Sequence, residues 1–180
     1  MRIIGGKWAG RQLVSPAGRV RPTAEALREE MMVLVAEDLP KARVLDLFAG
    51  TGAIGLEAMS RGARYADFVE NSPSAIHALK ANVAALRVKD HARVFDRDAI
   101  PFTERLVEPH RYDIAFADPP YGSRKLDRII ARWKELPFSR ILVLEHATEH
   151  EGLPRGVTRN FGESSLTVLR SRTAPGRDLA

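Results

Sequence analysis

One stretch, Asp46-Leu47-Phe48-Ala49-Gly50-Thr51-Gly52-Ala53-Ile54-Gly55, constrains this chain more than any other. It closes an apolar run, Val44 to Phe48, that reads as a strand, and it opens a helical pattern, Ile54 to Arg61. Its glycines therefore sit on a strand-to-helix turn with the spacing G-x-G-x-x-G, and Glu70 stands 20 residues after Gly50 at the end of the next strand. Glycines there permit close backbone approach of a ligand while the acid takes ribose hydroxyls. A chain with such a turn is expected to form an open parallel sheet with a nucleotide-like ligand at its carboxyl edge.

The remaining sequence agrees with that expectation. Asp67–Glu70, Ala92–Phe95, Tyr112–Ala117 and Ile141–Leu144 are further strand candidates. They alternate with helical patterns at Pro73–Leu86, Pro101–Val107 and Lys125–Leu136. Regular alternation of apolar strands with helices predicts an α/β fold, a parallel sheet covered on both faces. Val157–Phe161 and Leu166–Leu169 flank Gly162-Glu163-Ser164-Ser165 and read as a C-terminal antiparallel hairpin. At the other end, Arg2-Ile3-Ile4 and Gln12-Leu13-Val14 flank a glycine-rich turn, a small N-terminal β-hairpin with Trp8 near its tip. A helix follows Pro22 and runs up to Leu39.

Charge separates these regions. Residues 1–28 hold six bases and one acid, whereas the remainder is balanced at 22 of each, so the whole excess of +5 sits at the N-terminus. The expected organisation is a basic hairpin arm over residues 1–22 and a catalytic body over residues 23–180, the arm being separable from the body's folding. A phosphate backbone is the natural partner of such an arm, and Arg2, Lys7, Arg11 and Arg19, with Trp8, are its candidate RNA contacts. The absence of cysteine excludes disulfides, zinc ribbons and thiol nucleophiles. No signal peptide or membrane span is evident, and a cytoplasmic protein is expected.

Two features narrow the ligand. Asp46, expected at the mouth of the site, would repel a pyrophosphate and attract the ammonium and sulfonium of S-adenosylmethionine. Asp98-Ala99 follows the third strand, where Asp98 either meets an adenine amino group or caps the next helix. Asp118-Pro119-Pro120-Tyr121 then follows the fourth strand. Two prolines remove two backbone donors and leave acceptors, which suits an exocyclic nucleobase amine whose N–H bonds must be held before its electrons are free. Tyr121 offers a flat face to the displaced base. Glu145 to Glu151 packs two histidines and three acids together without a zinc motif, and no metal is expected there.

At this point the residues resemble a family. Arg2 to Gly6 with Gly10-Arg11, Arg21-Pro22-Thr23, Leu27-Arg28-Glu29, Asp46 to Ala58, Ser60 to Ala63, Phe68 to Glu70 and Asp118 to Tyr121 together resemble the RsmD family of 16S ribosomal RNA guanine-N2 methyltransferases. The resemblance implies a Rossmann-like class I methyltransferase fold with a seven-stranded, mostly parallel sheet. It implies S-adenosylmethionine as donor, held by Asp46, Phe48, Gly50, Thr51, Gly52, Gly55, Glu70, Asn71, Asp98 and Ala99, with Arg21 and Thr23 lying over the site. Asp118, Pro119, Pro120 and Tyr121 would be catalytic. The acceptor would be a guanine of 16S ribosomal RNA, within an assembling small subunit or free, and the enzyme a monomer.

Two other activities compete. An amino-methyltransferase acting on adenine N6 or cytosine N4 of DNA shares the tetrapeptide, but the chain has no room for a separate target-recognition domain. A nicotinamide-dependent dehydrogenase shares the glycine turn, but Asp46 and Asp118 to Tyr121 count against it.

Overall fold

The computed structural model describes residues 1–15 and 22–171, and of residues 22–24 the backbone alone. Seven strands form one sheet in the order β3-β2-β1-β4-β5-β7-β6. The strands are β1 Arg43–Leu47, β2 Tyr65–Glu70, β3 Ala92–Asp96, β4 Tyr112–Ala117, β5 Ser139–Ala147, β6 Val157–Phe161 and β7 Ser164–Arg170. The first five are mutually parallel, and β7 and β6 return antiparallel as the expected hairpin. Helices α1 Pro22–Leu34, α2 Ala53–Ser60 and α3 Pro73–Ala85 cover one face, and α4 Ala99–Glu104 and α5 Lys125–Glu135 the other. Among the described residues no helix is long and apolar enough to cross a membrane.

Strand alternation builds the two cores. Val44 faces α2 and α3, whereas Leu45 and Leu47 face α4 and α5, because successive side chains of a strand point to opposite sides. The helix α5 shows the complementary pattern, burying Leu126, Ile129, Ile130 and Trp133 at helical spacing. Between β1 and β4 the chain order reverses direction across the sheet, which opens a crevice at their carboxyl ends. The expected elements are all present with shifted ends. The fourth helix starts at Ala99 rather than Pro101, because Asp98 caps it through the Ile100 N–H at 3.0 Å.

The N-terminal hairpin differs from its expectation. Its strands reduce to one antiparallel bridge, Arg2 with Gln12, around a short 3-10 turn, Gly6–Trp8. More importantly, it is built into the body. Ile3 and Leu13 belong to the core of the α2 face. Glu57 of α2, fully buried, accepts the N–H groups of Ile4 and Gly5, both at 2.8 Å, and pairs with Arg61 at 2.9 Å and Arg28 at 3.5 Å. Asn82 of α3 clamps Val14 from both sides, accepting its N–H at 2.7 Å and donating to its carbonyl at 3.0 Å. Gly6 has a positive φ of 77°, and a Cβ there would lie 2.0 Å from the Ser60 carbonyl, so only glycine lets the turn touch the helix. The hairpin thus packs onto the body and supplies two of the Glu57 carboxylate's N–H donors, beside the two arginines. Trp8 is half-buried against the same core.

Candidate active site

The glycine turn is held from below and from the side. Gly50 donates its N–H to Glu70 Oε2 at 2.8 Å, while Glu70 Oε1 accepts from Asn71 and Ser72, each at 2.8 Å. Glu70 thus fixes the loop after β1 to the loop after β2, and its remaining lone pair is what a ribose could use. Phe48 and Gly50 both take positive φ, 61° and 55°, and the space above Gly50 is open. The other two glycines serve the protein itself. A Cβ on Gly52 would meet Leu79 Cδ1 at 2.3 Å, and one on Gly55 would meet the Phe68 ring at 2.4 Å. In the direction a Cβ would take, the space is open at Gly50 and filled by α3 and β2 at the other two.

Asp46 does not stand at the mouth. It is fully buried under the first turn of α2, with Oδ2 accepting the Gly55 N–H at 2.8 Å and Oδ1 without a partner. It lies inside the end of β1, where alternation turns its side chain toward the helix rather than outward. Burial pushes its carboxyl up to about 7, the Gly55 N–H opposes the rise and Glu70 adds to it.

Register brings two more carboxylates to the same edge. Asp46 pairs with Phe116 and Phe116 with Val143, so Asp118 and Glu145, two residues further along adjacent parallel strands, share the face of Asp46. Burial first, then Glu145 and Asp46, raise the Asp118 carboxyl to about 7. Burial also raises Glu145, against the hydrogen bond from Tyr121. Tyr121 is 46% exposed, yet its hydroxyl is anchored, donating to Glu145 Oε1 at 3.1 Å and accepting from Ser164 Oγ at 2.6 Å. Burial pushes that hydroxyl up to about 12. Pro119 is buried and Pro120 exposed, and the Pro120 carbonyl is taken by Ser123 Oγ at 2.7 Å.

Opposite this group, Asp98 caps α4 and accepts Lys125 Nζ at 2.9 Å and Asn71 Nδ2 at 3.3 Å. Lys125 above all holds the Asp98 carboxyl below its ordinary value. The ammonium also lies 5.5 Å from the centroid of the Phe48 ring. Phe48, Glu70, Asn71, Asp98, Ala99 and Lys125 line one narrow cleft.

The structure so brings together Asp46, Phe48, Gly50, Thr51, Glu70, Asn71, Asp98, Ala99 and Asp118 to Tyr121 around one edge of the sheet. Arg19 and Arg21 lie outside the described residues, as does the Thr23 side chain. Arg2 faces Glu25 at 3.7 Å, and Lys7, Trp8 and Arg11 lie at the far end of α2 from the glycine turn. Sequence reasoning missed Lys125, Glu145 and Ser164. Glu145 left a trace, an acid closing the apolar run Ile141 to Leu144, whereas nothing marks Lys125 or Ser164 before the chain is folded.

The site has the chemistry of a receptor for a cationic nucleoside. One buried carboxylate oxygen is unpartnered, three carboxylates crowd one face, and open space lies over a backbone N–H loop. A family model described as conserved hypothetical protein 95 matches residues 1–166. The ribosomal RNA small subunit methyltransferase D of Escherichia coli is 39% identical over 158 residues, covering 86% of this chain and 78% of that protein. A solved hypothetical protein of Thermus thermophilus is 33% identical, with a TM-score of 0.79 over 95% of this chain and 99% of its own. The 16S rRNA N2 guanine methyltransferase RsmC of Thermus thermophilus, solved with S-adenosylmethionine and guanosine, is 24% identical. It aligns with 96% of this chain and 49% of its own at a TM-score of 0.71, a likeness of fold.

Proposed function

The chain belongs to the RsmD family of ribosomal RNA methyltransferases, and on that premise we propose that it methylates the N2 amine of a guanine in 16S ribosomal RNA from S-adenosylmethionine. The donor, when bound, supplies the electrophilic methyl carbon. The residues present fit that donor. Glu70 would take the ribose, Asn71, Asp98 and Ala99 the adenine end, Phe48, Gly50 and Thr51 the strand-edge side, and Asp46 with its free oxygen the cationic end. Gly52 and Gly55 shape the turn by letting α2 pack closely.

The paired carboxylates of Asp118 and Glu145 carry the choice of guanine. Guanine presents a ring N–H beside its amine, two neighbouring donors, while adenine and cytosine present an acceptor beside theirs. Two carboxylates side by side match the first pattern and repel the second. Asp118 and the Pro119 carbonyl accept from the amine, Glu145 from the ring N–H, and Pro120 stiffens the loop while Tyr121 stacks on the base. A new N–C bond forms as the donor's S–C bond breaks, and the amine proton passes to the Asp118 carboxylate.

Nucleoside analysis of 16S ribosomal RNA from cells with and without the gene tests this reading. One N2-methylguanosine of that RNA is expected to be lost with the gene. Its persistence, with loss of a methylated adenine or cytosine instead, would overturn the assignment. A monomer acting in the cytoplasm on an assembling small subunit completes the proposal, and subunit particles compared with bare RNA as substrates distinguish the two forms of acceptor.

A further inference from the structure

A broad groove of about 780 Å³ lies at the end of α2 away from the glycine turn. Its floor is apolar, formed by Met59, Ala63, Leu86 and Val88. Cations from three separate segments rim it, Lys7 and Arg11 from the hairpin, Arg64 before β2 and Arg87 after α3, with half-buried Trp8 as a wall. Among the described residues none of these four cations has a carboxylate ion-pair partner, whereas Arg2, Arg28, Arg61 and Arg93 all do. Arg87 is moreover held at a φ of 58°, which costs a side-chain-bearing residue energy. Four such cations around an apolar floor and an indole match a nucleic-acid strand, with phosphates for the charges and an unstacked base for the ring.

Resting on the reading of the enzyme as an RNA methyltransferase, we propose that this groove is a second RNA site that grips a single-stranded segment away from the target guanine. Phosphates lie on Lys7, Arg11, Arg64 and Arg87, and one base stacks on Trp8. The groove sits where β2 begins, and Asp118 lies beyond the ends of the strands. A six-residue strand at roughly 3.3 Å per residue puts the two about 20 Å apart. Spanning that distance takes on the order of six stacked nucleotides at 3.4 Å each, so the enzyme should prefer long RNA over a short fragment bearing the same guanine.

The test uses the full chain and a fluorescent oligouridylate, in which stacking and phosphate binding act without sequence. Arg64→Glu combined with Arg87→Asn, the asparagine chosen because it tolerates the left-handed backbone, leaves the core untouched. Oligouridylate affinity is expected to fall at least tenfold, with the logarithmic salt slope shrinking by roughly 0.7 for each phosphate no longer neutralised, while donor affinity stays unchanged. Of the two tryptophans, Trp133 is buried on the opposite face, so quenching by oligouridylate should come from Trp8 and vanish in Trp8→Phe. Wild-type affinity, salt slope and quenching in these variants would overturn the proposal. A wild-type enzyme that binds oligouridylate through the groove but methylates no ribosomal RNA would instead overturn the assigned activity and leave the groove standing.

Discussion

The two halves of the candidate site are held by opposite means. At one half, between Glu70 and Asp98, each carboxylate is held by several partners of this chain, three N–H groups for Glu70 and a helix cap plus Lys125 for Asp98. At the other half, Asp46, Asp118 and Glu145 crowd one face with few donors, and burial raises all three. One half is preformed by satisfied bonds, and the other stores a demand for cations and N–H groups. A methyl donor with positive charge and an amine with two hydrogens are what would relieve that demand.

If the halves are as distinct as this, substitutions should separate them cleanly. The largest effect is expected from Asp118→Ala, where single-turnover methylation falls on the order of 100-fold or more while donor affinity by calorimetry stays near that of the parent. A large loss of donor affinity in that variant would merge the two halves. Glu70→Ala should do the reverse, freeing three backbone N–H groups at once and weakening donor binding by roughly tenfold or more, with stability lower by about 1–3 kcal/mol. Equilibrium dialysis and a urea titration together read both numbers, and an unchanged affinity would restrict Glu70 to loop scaffolding.

Acidity supplies a subtler distinction. Between 3.8 and about 7 the folded chain keeps a proton on Asp118 that the unfolded chain has released, so stability falls as pH rises through that window. Asp118→Asn removes the burden, and its melting temperature is expected to exceed the parent's at pH 8 while matching it near pH 4. An equal offset at both values would mean that charge burial is not the cause. On the proposed reading, in which the ionised Asp118 carboxylate accepts the amine, kcat/KM in the parent should climb with pH to about 7 and then level. The smallest effect is expected from Lys125→Ala. The Lys125 and Asp98 side chains are each about one-third exposed, so their pair should change stability by less than about 1 kcal/mol. A larger change would show that the donor cleft is held shut by this bridge rather than by the helix cap.

Much of this can be read from the sequence, because it is local. The glycine turn, the strand-helix alternation and the tetrapeptide at the end of β4 follow from periodicity and from the backbone chemistry of glycine and proline, which need no knowledge of distant residues. Glu70 is legible as well, since its distance along the chain from Gly50 is that of one helix and the strand after it. The tertiary structure alone decided what touches what across the sheet. It buried Asp46, a residue expected at the mouth, by turning it under α2, and it set Gly52 against Leu79 and Gly55 against Phe68. It joined Glu145 and Ser164 to Tyr121 through the pairing of β4, β5 and β7, a register that no short-range pattern encodes. It also packed the basic hairpin against α2 through Glu57, a contact that charge arithmetic does not show. Net charge counts formal ions without regard to burial, and the burial of a carboxylate among backbone N–H groups is a property of the packed chain.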